Sequence, residues 1–148
     1  MDISEKGLEI LQEREGTILH AYQDSRGIWT IGTGHTAFAG APYPVPGMTI
    51  TPADAEQILH RDLAPCIETL NLCGQMTQYQ FDAGVSLIFN IGAPSFRGST
   101  FRRMLIAKNF NAAARSILLW NEPPSIRSRR EGEYVQFLHG EYVARIEP

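Results

Sequence analysis

Residues 15–36 read EGTILHAYQDSRGIWTIGTGHT, and this stretch decides the fold. Thr17 to Gln23 and Ile28 to Thr33 are β-branched, aromatic and roughly alternating, which is the pattern of strands. Between them stands Asp24-Ser25-Arg26-Gly27, with aspartate and glycine at the first and fourth positions of a β-turn. The segment predicts a β-hairpin. Upstream, Leu8 and Leu11 repeat at helical spacing until Gly16, a residue suited to the left-handed backbone that ends helices. A helix therefore stops beside Glu15, and the hairpin begins two residues later.

Outward from this point the chain turns helical. Asp2 and Glu5 have the spacing of a capping box for the first helix. Residues 37–50, AFAGAPYPVPGMTI, carry three prolines and two glycines and predict an irregular loop. Thr51-Pro52-Ala53-Asp54 opens a helix running to about Leu72, with a kink expected at Pro65. Thr77 and Gln80 begin another, whose Phe81, Val85, Ile88 and Phe89 form an apolar face ending at Gly92. Shorter helical stretches are expected near residues 99–108, 111–120 and 126–145. The fold class is α+β, a single domain over 1–148. A small hairpin-bearing lobe (about 15–50) leads through a linking helix (about 52–72) to a larger helical lobe (about 77–148), on which the N-terminal helix packs.

Composition narrows the function classes. A chain of 148 residues with 43% hydrophobic and 20% charged content can bury a full core. The N-terminus is acidic and periodic, unlike a targeting peptide, and no run approaches the roughly 18 apolar residues of a membrane span, so no membrane insertion is expected. Residues 1–96 hold four Lys/Arg against eleven Asp/Glu, whereas residues 97–148 hold nine against five. The second half is the one fit to meet an anionic partner. Nucleic acid is a poor candidate, since the net charge is −3 and no recognition motif appears. Cys66 and Cys73, seven apart on one predicted helix, lie about 10 Å apart and read as packing thiols. No zinc spacing joins them to His20, His35, His60 or His139, so no metal site is expected.

Taken singly, the polar groups of the opening stretch have ordinary explanations. Glu15 suits a solvated helix end, Asp24 suits the first position of a turn, and Thr30 suits a strand by its shape. Together they say more. The negative pole of a helix favours a neutral carboxylic acid at Glu15, whereas a polar turn keeps Asp24 ionised. Cleaving a glycosidic bond needs that division of labour, an acid on one face of the sugar and a carboxylate on the other to direct water. Thr30, on the return strand, adds a hydroxyl that can hold the water.

The phrase E-x8-D-x5-T followed by I-G-x-G-H, here Glu15, Asp24, Thr30, Ile31, Gly32, Gly34 and His35, resembles the catalytic stretch of phage-type lysozymes, the endolysin muramidases. The resemblance continues through PGMTITPADAEQILHRDL, MTQYQFDAGVSLIFNIG, FRGSTFRRML and RSRREGEYVQFL in the family's order. It implies a lysozyme-like fold with a cleft between the lobes. It also implies hydrolysis, with inversion and without cofactor, of the β-1,4 bond between N-acetylmuramic acid and N-acetylglucosamine in peptidoglycan. Carried over, Glu15 is the general acid, Asp24 the carboxylate that stabilises positive charge and places water, and Thr30 the water's second holder. Phe89 and Asn90 would meet the sugar, Arg127 would stand near the acid, and His35 would have a structural role.

By themselves Phe89 and Asn90 are equally a core residue and a helix cap, and Arg127, Arg129 and Arg130 equally a solvated face. The partner expected is the glycan strand, met by a monomer made in the host cytoplasm and released by a separate membrane-permeabilising protein. A lytic transglycosylase would need the acid but not Asp24 and Thr30. A wall-binding virion module would need none of the three.

Overall fold

The computed structural model describes residues 1–147. Helix α1 spans Glu5–Glu15, followed by strands β1 (Ile18–Gln23), β2 (Trp29–Gly32) and β3 (His35–Thr36). Among the described residues seven α-helices follow: α2 (Pro52–Asp62), α3 (Ala64–Asn71), α4 (Gln78–Ile91), α5 (Ala93–Arg97), α6 (Thr100–Ile106), α7 (Phe110–Ile117) and α8 (Arg127–His139). The α+β class is as the sequence predicts. The chain forms two compact units, Glu15–Ala64 and the remainder.

In the first unit the strands form one antiparallel sheet in the order β1-β2-β3. Tyr22 faces Thr30, Gln23 faces Trp29 and Ile18 faces Gly32, with a register shift between the first and last of these pairs. Thr36 returns beside Thr30 on the other side. Helix α2 packs on β2 and β3, where Ile31, Ala55, Leu59 and Leu63 are almost wholly buried. Burying each of the isoleucine and leucine side chains contributes roughly 1.5–3 kcal/mol. Thr51 caps α2 in a reciprocal box with Asp54.

The second unit is helical. Helix α4 lies against α8, which also meets α7, and α6 packs on α7. Phe96, Phe101 and Phe137 stack edge to face with centroids 6.0 and 5.6 Å apart. A Cβ on Gly84 would lie 2.8 Å from the Leu70 side chain, so α3 and α4 touch closely where that glycine stands. Cys66 and Cys73 are buried free thiols, and burial pushes Cys66 up to about 11.

Four local expectations are corrected. The N-terminal cap of α1 is Ser4, whose Oγ accepts from the Gly7 amide at 3.0 Å, rather than an Asp2–Glu5 box. The single kinked helix over 52–72 is two helices joined at Leu63, with Pro65 in the first turn of α3, where its missing N–H costs no bond. The short α5 is an additional helix, with Pro94 in its own first turn. Helix α8 ends at His139, six residues early, because Gly140 adopts left-handed φ of 73°. Residues 141–147 then run as an irregular strap.

Candidate active site

Glu15 is the last residue of α1 and half-buried. Gly16, with φ of +79°, turns the chain out of the helix in a conformation that penalises any side chain. One residue on, the Thr17 hydroxyl meets that of Thr33 at 3.0 Å. The acid is thereby carried to one end of the hairpin, about 7 Å along β2 from the level of Thr30 to that of Gly32.

Asp24 closes the other end. Its amide donates to the Ile28 carbonyl and its carbonyl accepts from Gly27, both at 2.9 Å. Its carboxylate Oδ1 accepts from the amides of Arg26 (2.8 Å) and Ile28 (2.9 Å). The Ile28 amide, the Arg26 amide and the Arg26 cation hold the carboxyl below the ordinary aspartate range, against a smaller opposing effect of desolvation. Both amide bonds fall on Oδ1, so the turn function leaves Oδ2 uncommitted to it.

Thr30 is buried, and its hydroxyl donates to the Ile28 carbonyl at 2.9 Å. That carbonyl also takes the Asp24 amide, so one peptide oxygen anchors the Thr30 side chain and the Asp24 backbone. Having given its only proton, Thr30 Oγ1 can only accept from a further partner.

His35 is buried. Its Nε2 faces the carbonyls of Pro42 (2.8 Å) and Gly40 (3.1 Å), and its Nδ1 meets Asp62 Oδ2 at 2.6 Å. With every partner an acceptor, the ring ties β3, the loop after it and α2 together.

In the helical unit Phe89 is half-buried and Asn90 exposed. Asn90 Oδ1 accepts from Arg130 Nη2. Arg127 is exposed, pairs with Glu122 at 3.1 Å and donates to the Asn121 carbonyl. Arg129 and Arg130, by contrast, are only 3% and 2% exposed, so the basic run is not one solvated face. Helical rotation of about 100° per residue turns them inward.

There they meet Glu133, a residue the sequence reading did not single out, although Arg129 and Arg130 stand at i−4 and i−3 from it. Its Oε1 accepts from Arg130 at 2.6 Å, and its Oε2 from Arg129 at 3.2 Å and Ser86 at 2.6 Å. Arg14 joins through Ser86 Oγ at 3.1 Å. Burial, opposed by Glu133, brings the Arg14 guanidinium down to about 10.

Hydrolysing an acetal requires a proton for the leaving oxygen and a held water on the opposite face. The chain is a lysozyme-type glycoside hydrolase. The phage lysozyme family profile matches residues 12–133. The endolysin of Salmonella phage P22 is 42% identical over 144 residues, covering 93% of this chain and 99% of that protein. The crystal structure of a mutant of P22 lysozyme superposes with a TM-score of 0.86 over 93% of this chain and 99% of that one. An endolysin from Escherichia coli O157:H7 phage FAHEc1 gives 0.87 at 34% identity, covering 97% of each chain. The muramidase domain of SpmX from Asticaccaulis excentricus gives 0.80 at 34% identity, covering 93% of this chain and 97% of that one. The chain belongs to the phage lysozyme family.

Proposed function

We propose that the protein hydrolyses the β-1,4 bond between N-acetylmuramic acid and N-acetylglucosamine in bacterial peptidoglycan, with inversion at the anomeric carbon. Glu15 protonates the leaving glycosidic oxygen. Asp24, ionised, takes one hydrogen of the attacking water, and Thr30 accepts the other. The water oxygen is left with its lone pairs directed at the anomeric carbon. As the bond breaks, the Glu15 proton goes to the leaving hydroxyl, Asp24 takes a proton from the water, and the remaining hydroxide forms the new reducing end.

The observation that carries this reading is that both side chains are anchored on one residue, Ile28. Its carbonyl takes the Thr30 proton at 2.9 Å and its amide donates to Asp24 Oδ1 at 2.9 Å, so the Thr30 hydroxyl oxygen and the Asp24 carboxylate both face a further partner as acceptors. A water between two acceptors has one orientation, which is what in-line attack needs. Inversion further requires the two carboxyls to stand about 6.5–9.5 Å apart, leaving room for that water.

Phe89 and Asn90 are proposed to meet a sugar face and its acetamido group. Arg127 would draw the carboxylates of the wall peptides. On this reading the protein is made in the host cytoplasm, acts on the wall as a monomer and is released by a separate membrane-permeabilising protein. Among the described residues no helix is long and apolar enough to cross a membrane.

The test is reducing-end yield from purified peptidoglycan, with NMR of the first-formed anomer. Wild type should release reducing ends of inverted configuration. Glu15→Gln and Asp24→Asn should each lose at least about 100-fold, the usual contribution of a positioned acid or base, and Thr30→Ala less. Products lighter by one water, about 18 Da, would mean transglycosylation instead.

A further inference from the structure

We infer that the C-terminal strap, residues 141–147, is a positioning element for Glu15, with Arg145 as its acting residue. This rests on the assignment of Glu15 as the acid. The strap lies outside residues 12–133, the stretch matched by the family profile.

The strap holds α1 at both ends. Near the start of the helix, the Tyr142 hydroxyl donates to Asp82 Oδ2 at 2.6 Å, the oxygen that also takes the Ser4 hydroxyl. Ser4 is the cap of α1, so Tyr142 and the helix start share one buried carboxylate. At the other end, Arg14 donates from Nη2 to the Val143 carbonyl (2.8 Å) and from Nε to the Ala144 carbonyl (3.1 Å). Arg145 answers by donating from Nη2 to the Arg14 carbonyl at 2.7 Å. The far side of the strap is seated on α8, where the Ile146 amide donates to the Ser128 carbonyl at 3.0 Å. A Cβ on Gly132 would lie 2.4 Å from the Ala144 carbonyl oxygen, so only glycine lets the strap lie that close.

The Arg14 carbonyl is half of the peptide bond whose other half is the Glu15 amide. It belongs to the last turn of α1, where carbonyls have no partner within the helix. Without a donor, that turn frays within the first steps of local opening. Arg145 removes that freedom one bond away from the acid. Its position also brings it toward the Arg14 guanidinium, a like charge that pushes Arg14 down. Packing alone gives no reason to accept that repulsion, whereas fixing the Glu15 peptide does. Misplacing a reacting group by about 1 Å can cost as much as 100-fold in rate.

Arg145 is exposed, so its replacement leaves the core intact. Arg145→Met should lower kcat on soluble uncross-linked glycan strands by about tenfold, with KM within about twofold. Arg145→Lys, which keeps a donor and a charge, should restore most of it. Gly132→Ala reaches the strap from α8 and should give the same kcat-selective loss. Hydrogen exchange at the Gly16 and Thr17 amides should quicken in both variants, while α4 amides stay unchanged.

Unchanged kcat and unchanged exchange in Arg145→Met and Gly132→Ala, beside an inactive Glu15→Gln, would overturn the strap's role alone. Full turnover in Glu15→Gln would instead overturn the parent assignment. In that case, unchanged exchange at Gly16 and Thr17 would also overturn the clamp.

Discussion

Exchanging Glu133 for glutamine probes how the helical unit carries its buried charge. One carboxylate, with no exposed side-chain surface, faces Arg130 at 2.6 Å and Arg129 at 3.2 Å. It reaches Arg14 through Ser86, whose hydroxyl donates to it at 2.6 Å. Glutamine has the same shape but one acceptor oxygen and one donor nitrogen. Whichever way it sits, an N–H is turned against Arg130 or against the Arg129–Ser86 pair. Losing one charge-assisted bond costs about 1.5–3 kcal/mol, and removing the Glu133 charge from the buried guanidiniums raises the total to roughly 3–5 kcal/mol.

A domain of this size has about 5–15 kcal/mol in all. At about 2–4 °C per kcal/mol, the midpoint of thermal unfolding should fall by roughly 6–20 °C. Circular dichroism melts at pH 7, paired with urea titrations, measure this directly. Glu122→Gln is the control. It breaks the Arg127 pair, in which the side chains are 56% and 71% exposed, and a surface pair of that kind is worth about 0–1 kcal/mol. Glu133→Gln melting within about 2 °C of wild type, or no lower than Glu122→Gln, would refute the reasoning.

Two further outcomes are expected. Asp62→Asn replaces the charge-assisted contact with His35 by a neutral one and places an amide where Asp62 Oδ1 is buried without a partner. It should cost about 1.5–3 kcal/mol in urea unfolding, and an unchanged urea midpoint would contradict it. Asp24 is held below its ordinary value of 3.8 by the Ile28 and Arg26 amides. Its contribution to stability is therefore present above that value and lost as pH falls through the folded one. Carbon-13 titration of its carboxyl should show a midpoint under 3.8, tracked by the Ile28 amide proton, and a midpoint above it would contradict the geometry.

Much of this was readable in local pattern. The hairpin follows from alternation on either side of Asp24-Ser25-Arg26-Gly27, and the α1 terminus from Gly16, since both depend on backbone preferences within a few residues. The Thr77–Gln80 box was legible for the same reason. The helix ends were less so. Gly140 stops α8 before 145. The strap's hold on Arg14 spans some 130 positions, and no short window contains both partners.

The candidate site divides along the same line. Residue identity and spacing marked Glu15, Asp24 and Thr30, because each lies on one local segment whose turn chemistry is written in adjacent residues. They did not reveal that Ile28 supplies both anchors, nor that Arg129 and Arg130 turn inward upon Glu133 while Arg127 stays in solvent. Those choices are energetic contests between burial and solvation. They are decided by what the neighbouring helix presents, and so they exist only once distant parts of the chain have packed.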